Sequence, residues 1–245
     1  DKVYRNSFNP FIFKVLIGCA RLLDGLIAKT SDEILVGGKA HNTYFQSLST
    51  NVKITVIPPS VHPVLKMIES KREGVLLLTA WKRGKNPEYI FNILDKMPNI
   101  KVTLVGKWLD EEYRAEFEAE VKQRKYTKNI TVIGAVSEGE LSHYYSHARV
   151  FLQINDDRGF GMPALEAAAH GTPFIIPRGQ GVCELFNDGV HGFYTKEKDL
   201  KQIVTGLNLL LTDTKKATQM GRACYTIVKD TYSWQAHAHD LVNVY

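Results

Sequence analysis

The pattern of apolar and polar positions divides the chain into two parts, and from residue 74 onward it alternates regularly. Short apolar runs typical of buried β-strands recur there, at residues 75–79, 101–105, 130–133, 150–154 and 173–176. The segments between them have the apolar spacing of amphipathic helices, at residues 88–97, 110–126, 138–147 and 163–170. This alternation predicts an α/β fold in which helices cover both faces of a Rossmann-like parallel sheet. Three more helices are predicted near the end of the chain, at residues 199–211, 213–230 and 233–245.

The first 58 residues have a different pattern. Residues 11–27 form a strongly apolar helix candidate, which predicts packing on both sides of the helix, with a membrane interface as the alternative. Two short strand candidates follow, at residues 34–36 and 52–57, with a helix-like stretch between them. Because these elements cannot close a core by themselves, they are expected to be the end of a domain whose beginning is missing. The chain is therefore divided into the remnant of a second domain, a linker, a Rossmann-like domain and a final helix, at residues 1–58, 59–73, 74–232 and 233–245.

Composition and charge limit the classes of function. The 245 residues contain no unbroken apolar run of about 18, so no membrane-spanning helix is predicted. The three cysteines, Cys19, Cys183 and Cys224, lie far apart without metal-ligand spacing, which predicts reduced thiols in the cytoplasm. The formal charge of +5 suits anionic ligands, or peripheral contact with the inner face of an anionic membrane. No nucleic-acid partner is predicted, because no nucleic-acid-binding motif accompanies this charge.

Glycine occurs after all five predicted strands of the second part, and four of the five loops also carry a cation. In open α/β sheets, ligands bind outside the carboxyl ends of the strands, where these loops lie. The strongest signal is N-D-D-R-G-F-G-M-P at residues 155–163, where a glycine turn joins a strand to a helix opened by Pro163. Such a helix start binds anions, and Glu166 lies in its first turn, within reach of a ligand held over the glycines. These loops predict a site for a phosphate or a nucleotide.

The common nucleotide-binding and catalytic motifs do not occur in the sequence. There is no G-x-x-x-x-G-K-[ST] loop, and the strand at residues 75–79 is not followed by G-x-G-x-x-G. P-loop ATPases and nicotinamide-dependent enzymes are therefore disfavoured. No G-x-S-x-G elbow is present, and no cluster of His, Cys and carboxylate residues has metal-ligand spacing. No metal and no tightly bound cofactor are expected.

Two motifs carry a family resemblance: R-G-F-G-M-P-A-L-E-A-A-A-H-G-T-P at residues 158–173 and G-Q-G-V-C-E-L-F-N-D-G-V-H-G-F-Y at residues 179–194. They resemble the donor-binding signature of retaining nucleotide-sugar glycosyltransferases with the GT-B fold, in the group 1 family of sucrose-synthase-like and mannosyltransferase-like enzymes. The similarity extends over residues 74–245. It implies that residues 74–232 bind the nucleotide-sugar donor, and that residues 1–58 are the end of an otherwise missing N-terminal acceptor-binding domain.

The resemblance also implies roles for individual residues. Glu166 would accept hydrogen bonds from the ribose hydroxyls, and Lys85 would hold the diphosphate and stabilise its charge as the sugar departs. Lys82 or Arg83 would take the place of an arginine that the family has nearby. The remaining positions assigned to the donor site are Gly106, Lys107, Val136, Leu141, Gly159, Phe160, Gly161, Met162, Gly179, Gly181 and Glu184.

One position departs from the family pattern, because Arg158 stands where the first glutamate of the family's E-x7-E pattern faces the donor sugar. This charge reversal leaves three interpretations open: a changed choice of donor, a weakened or inactive enzyme, or an introduced substitution. The predicted function is a retaining, metal-independent glycosyltransferase with a UDP- or GDP-sugar as donor and a glycan, a lipid-linked molecule or a small molecule as acceptor. The alternatives are a nucleotide-sugar-binding module with impaired catalysis and a GT-B-fold nucleotide-sugar epimerase.

Overall fold

The computed structural model describes residues 10–49, 51–68, 72–154 and 159–244 of the chain. The chain forms two compact units, one from the segment up to Pro59 together with the last residues from Asp240 onward, and one from Ser60–His239. None of the described helices combines the length and the apolar character that crossing a membrane requires.

The first unit contains two helices and two parallel strands: α1 (Pro10–Thr30), β1 (Glu33–Val36), α2 (Lys39–Leu48) and β2 (Lys53–Val56). Its small core is formed around Ala28, Ile34 and Val36. Among the described side chains of α1, large apolar ones are exposed at Val15, Leu16, Ile17, Leu22, Leu23, Leu26 and Ile27. The expectation that this helix is packed on both sides is therefore wrong for the described structure, because two strands and one further helix cover only one side of it.

Six parallel strands form the sheet of the second unit: β3 (Glu73–Leu78), β4 (Val102–Val105), β5 (Ile130–Val132), β6 (Ala148–Leu152), β7 (Phe174–Pro177) and β8 (Gly192–Thr195). Their order across the sheet is β5-β4-β3-β6-β7-β8. The structure thus confirms the predicted α/β fold with a parallel sheet. The sequence prediction misses β8, because this four-residue edge strand begins with a glycine and has no apolar run to mark it.

Helices cover both faces of this sheet: α3 (Tyr89–Leu94), α4 (Glu111–Gln123), α5 (Glu138–His147), α6 (Met162–Ala169), α7 (Leu200–Thr212) and α8 (Thr214–Thr231). The last helix, α9 (Trp234–Val242), has no buried residue. One hydrophobic cluster includes Phe91 and Phe117, and the other includes the alanines of α6, whose small side chains let that helix lie close to the sheet. Side chains cap several helix starts: Asp110 caps α4, Asp199 caps α7, Asp213 caps α8, and Ser137 and Glu140 form a capping box on α5.

The strand order places a ligand-binding position at the centre of the sheet. The chain proceeds from β3 to β4 and β5 on one side, and then returns to add β6, β7 and β8 on the other side. The order therefore reverses between β3 and β6, which are hydrogen-bonded neighbours. In open parallel sheets, a crevice opens at the carboxyl ends of the two strands where the order reverses. The loops after β3 and β6 consequently meet at this position.

Candidate functional site

A cavity of about 200 Å³ lies at the carboxyl ends of β3 and β6. The end of β3 contributes Leu77 and Leu78, and the end of β6 contributes Leu152. The loops and the helix start that follow these two strands supply Thr79, Trp81, Lys85, Gln153, Ile154, Gly159, Gly161 and Pro163, and the loop after β7 supplies Gln180. The cavity thus lies where the strand order predicts it, and both glycine loops of the sequence motif take part in it.

The loop after β3 is anchored by Trp81 and presents Lys85 to the cavity. Trp81 is buried, its indole N–H donates a hydrogen bond to the carbonyl of Val105 at 3.0 Å, and its ring stacks on Trp108 at a centroid distance of 5.8 Å. A turn then closes with the hydrogen bond from the Lys85 amide to the Lys82 carbonyl at 2.9 Å. Lys85 is the only cationic residue among the described residues that line the cavity.

Arg83 and Lys82, the other cations of this loop, are exposed and do not line the cavity. The guanidinium of Arg83 makes two hydrogen bonds to the carboxylate of Glu116, at 2.8 and 2.9 Å, and a third to Asp110 at 3.2 Å. It also lies over the ring of Tyr113, 4.9 Å from the centroid. The hydrogen bonds with Glu116 raise the pKa of Arg83 and lower the pKa of the Glu116 carboxyl. Arg83 therefore belongs to an ion-pair cluster at the start of α4.

Gly159, Phe160 and Gly161 form a turn that is hydrogen-bonded to the loop after β7. The amide of Gly181 donates to the carbonyl of Gly159 at 3.2 Å, and the amide of Val182 donates to the carbonyl of Phe160 at 2.6 Å. Gly161 caps α6 in the left-handed region, with φ of 90°. A Cβ atom there would lie 2.7 Å from the Cγ1 atom of Val182. Both the backbone conformation and the lack of space therefore require glycine at this position.

Gly159 and Gly181 differ in the space that an added Cβ atom would have. A Cβ atom on Gly181 would lie 2.7 Å from the ring of Phe160, whereas one on Gly159 would meet no described atom within 4 Å. Gly181 is thus required by packing, and Gly159 leaves space on the cavity side. Because Gly161 and Pro163 line the cavity, α6 begins at its wall. Pro163 has no N–H and the amide of Ala164 donates to the carbonyl of Gly161 at 3.0 Å, so what this helix start offers an anion is mainly the positive end of its dipole.

Glu166 lies one turn into α6 and is half-buried. Its carboxylate accepts a hydrogen bond from the hydroxyl of Tyr145 on α5, with 2.7 Å between Oη and Oε2. Burial, followed by the charge of Glu166, raises the pKa of Tyr145 well above its ordinary value. The sequence motifs do not identify Tyr145 as a site residue. The signal for it is weak, because a tyrosine on the apolar face of a helix usually indicates only core packing.

Unlike Lys85, Gly159 and Gly161, Glu166 and the other described residues assigned to the donor site are not among the residues that line the cavity. Gly106 has φ of 127°, and a Cβ atom there would lie 2.0 Å from the carbonyl oxygen of Thr79, so its glycine is explained by the packing of the two loops. Val136 and Leu141, together with Phe160 and Met162, are partly buried against the cluster that holds α6. Lys107 and Glu184 are exposed, and Gly179 has φ of 100°. Arg158 lies outside the described residues.

Comparisons with known proteins identify relatives of this chain. A family model described as Glycosyl transferases group 1 matches residues 66–226. The chain is 26% identical over 181 residues to an uncharacterized glycosyltransferase of Methanocaldococcus jannaschii, covering 73% of the chain and 46% of that protein. It is 30% identical over 112 residues to a GDP-mannose-dependent alpha-mannosyltransferase of Corynebacterium glutamicum, covering 46% of the chain and 27% of that protein. The chain thus spans about half or less of the length of these two relatives.

A similar fold occurs in the solved structure of HepE from Anabaena in complex with UDP and glucose. The TM-score is 0.76 at 16% sequence identity, over 91% of this chain and 65% of that one. At this level of identity the likeness concerns the fold alone.

Proposed function

Because the chain belongs to the glycosyl transferases of group 1, we propose that it forms the donor-binding part of a retaining, metal-independent glycosyltransferase that uses a nucleoside diphosphate sugar. The observation that carries this proposal is the cavity at the carboxyl ends of β3 and β6, lined by Lys85 and by the glycines that open α6. Both UDP- and GDP-sugars are candidates, since one similar structure is a complex with UDP and glucose and one relative is named as GDP-mannose-dependent.

Lys85 and the start of α6 are the groups proposed to hold the diphosphate. When the bond between the sugar's anomeric carbon and the diphosphate oxygen breaks, negative charge develops on the leaving diphosphate. We propose that the ammonium of Lys85 and the positive end of the α6 dipole stabilise that charge. In the retaining reaction, the acceptor hydroxyl forms the new bond on the face from which the diphosphate departs, and its proton passes to the departing oxygen. Metal independence is proposed because Lys85 and the helix supply positive charge at this point.

Glu166 is the residue proposed to recognise the ribose. It is close enough to the helix start to reach a nucleotide whose diphosphate lies over Gly159 and Gly161, and a carboxylate accepts hydrogen bonds from two neighbouring hydroxyls. Val136 and Leu141, which are partly buried beside α6, are proposed to contact the base.

Calorimetric titration of the 245-residue chain with UDP, GDP, ADP and their common sugars tests the donor site. One of these nucleotides should bind, and its affinity should stay the same when EDTA removes divalent metal ions. Failure of all of them to bind would refute the donor-site proposal. The configuration of the sugar released from a binding donor, followed by NMR at the anomeric proton, tests whether the reaction is retaining.

The second candidate is a nucleotide-sugar-binding module with impaired turnover. The observation that favours it is Arg158, where the family pattern has a glutamate. The substitution Arg158→Glu distinguishes the two functions. An impaired enzyme should gain donor hydrolysis or transfer, while an active enzyme adapted to another donor should lose activity with its own donor.

The exposed apolar side chains of α1 support a proposal about the rest of the protein. We propose that an acceptor-binding domain covers this face and contributes the site for the glycan, lipid-linked or small-molecule acceptor. Peripheral contact with a membrane is the alternative use of the same face. A cytoplasmic location is proposed because Cys19, Cys183 and Cys224 are all free thiols, which suits a reducing compartment.

A further inference from the structure

The carboxylate of Glu166 is held in place by a buried tyrosine. The side chain of Tyr145 is about 1% exposed, and its hydroxyl lies 2.7 Å from Oε2 of Glu166. Since the raised pKa keeps this hydroxyl protonated, Tyr145 donates and Glu166 accepts throughout the physiological pH range. Burying a tyrosine hydroxyl without a partner is unfavourable, so this hydrogen bond is a fixed feature of the fold.

Tyr145 is itself held by neighbouring side chains. The hydroxyl of Thr172 donates to the carbonyl of Tyr145 at 2.6 Å, and the ring of His170 stacks on the tyrosine ring at 5.2 Å between centroids. The His170 ring is fixed by Nδ1, 2.7 Å from the carbonyl of Glu166, and by Nε2, 2.9 Å from the hydroxyl of Ser142. These contacts join the end of α5 to the end of α6 around a single carboxylate.

This arrangement matters for a ligand because a glutamate side chain has several rotatable bonds. An exposed glutamate must lose that freedom when it binds, which weakens the affinity, whereas Glu166 has already lost much of it. A carboxylate has about four lone-pair positions, and the Tyr145 hydroxyl occupies one of them. Enough acceptor capacity therefore remains for two vicinal hydroxyls.

We propose that Tyr145 is a positioning residue for nucleotide recognition, and that its hydroxyl holds Glu166 in the orientation that accepts the ribose hydroxyls. The proposal rests on the proposed function, since it assumes that the ribose lies at Glu166. It assigns to α5 a part in ligand selectivity, because the preformed acceptor favours ribonucleotides over their 2′-deoxy forms.

The test measures the affinity of UDP and of 2′-deoxy-UDP for the wild type and for Tyr145→Phe by calorimetry, with GDP and 2′-deoxy-GDP in parallel. Tyr145→Phe should weaken binding of the ribonucleotide about tenfold, and binding of the 2′-deoxy form about twofold or less. The matched control is Tyr144→Phe, which removes the hydroxyl of the neighbouring half-buried tyrosine and should leave both affinities unchanged.

A loss of the same factor for both sugar forms would show a general structural role and would overturn the proposal, as would no loss at all. If Tyr145→Phe alone does not fold, it is introduced into Glu166→Ala, which removes the charge that Tyr145 satisfies. Added to Glu166→Ala, Tyr145→Phe should change the ribonucleotide affinity less than about twofold relative to Glu166→Ala alone, because the hydroxyl of Tyr145 acts only through Glu166. A larger change in that background would also overturn the proposal. Failure of wild-type protein to bind any nucleotide would instead refute the donor site itself.

Discussion

The guanidinium of Arg83 forms a two-point ion pair with Glu116, with Nη1–Oε2 at 2.9 Å and Nη2–Oε1 at 2.8 Å. Two residues later in the same loop, Lys85 lines the cavity. The sequence makes both cations candidates for the donor site, Lys85 for the diphosphate and Arg83 as one replacement for a family arginine, and the structure separates them. Arg83 pairs with Glu116 on α4 and with Asp110 at the helix start, outside the cavity. Lys85 follows the turn that its own amide closes and lines the cavity.

Substituting these two cations should therefore have different effects on nucleotide binding. Lys85→Ala should weaken binding of UDP or GDP about tenfold or more, because it removes the cation that the cavity offers to a diphosphate. Arg83→Ala should change the affinity less than about twofold, since Arg83 lies outside the cavity. Its exposed ion pair with Glu116 contributes little to stability, so the site should keep its structure. Calorimetry on both variants measures this, with Lys82→Ala as a second exposed control. Equal losses for Lys85→Ala and Arg83→Ala would contradict the assignment.

The two glycines of the turn before α6 should also respond differently to alanine. Gly161→Ala should lower the free energy of unfolding by about 2 kcal/mol or more, because φ is 90° and the Cβ would lie 2.7 Å from Val182. Gly159→Ala should change it by less than about 0.5 kcal/mol, since no described atom lies within 4 Å of the added carbon. The methyl group that Gly159→Ala adds should occupy part of the cavity and weaken nucleotide binding about tenfold.

Urea unfolding and calorimetry on the two variants separate these effects. The steric reading of the turn would be contradicted if Gly159→Ala destabilised the protein as much as Gly161→Ala. The assignment of the cavity as the nucleotide site would be contradicted if Gly159→Ala bound UDP and GDP with the wild-type affinity.

The sequence is sufficient for five of the six strands of the sheet and for the family. Apolar runs separated by amphipathic helices predict β3 to β7 because strands buried on both faces have few polar positions, and that fold is confirmed. The resemblance of residues 158–173 and 179–194 to group 1 glycosyltransferases is confirmed by the family match over residues 66–226. Both signals are local, so they need no knowledge of distant contacts.

Features that depend on distant contacts could not be predicted in this way. The pairing of Arg83 with Glu116 joins positions 33 residues apart, and that of Tyr145 with Glu166 joins positions 21 apart. The family resemblance assigns the diphosphate to Lys85, but no pattern along the chain shows that Arg83 pairs with Glu116 on α4. The glycine at position 106 could not be interpreted from the sequence either, since it is explained by the carbonyl of Thr79 in the loop after β3 and not by a ligand.

Acidification should destabilise the second unit through His170. Burial lowers the pKa of His170 below its ordinary value of 6.5, the charge of Arg72 adds to this effect, and the carbonyl and charge of Glu166 oppose it. The unfolded chain therefore binds a proton at higher pH than the folded chain does. As the pH falls through 6.5 toward the folded pKa, the free energy of unfolding should decrease, and below that pKa the contribution is fully lost.

Urea unfolding at pH 7.5 and pH 5.5 measures this effect of pH. His170→Gln should reduce the difference between the two pH values, whereas substitution of the exposed His143 should not. Part of the difference should remain in His170→Gln, because burial also lowers the pKa of His191. A wild-type protein that is equally stable at both pH values would contradict the prediction.

Asp188, the first residue of the segment D-G-V-H-G at residues 188–192, should stabilise the edge strand β8. Its Oδ1 accepts a hydrogen bond from the amide of Tyr194 at 2.9 Å, and its Oδ2 accepts one from Arg178 at 2.5 Å. Asp188→Ala should lower the free energy of unfolding by about 1 kcal/mol, because the strand amide loses its acceptor. Asp188→Asn keeps the Oδ1 acceptor and loses only an exposed ion pair, so it should be less destabilising. Equal destabilisation of both variants in urea would show that the ion pair, and not the hydrogen bond to the strand, holds this edge.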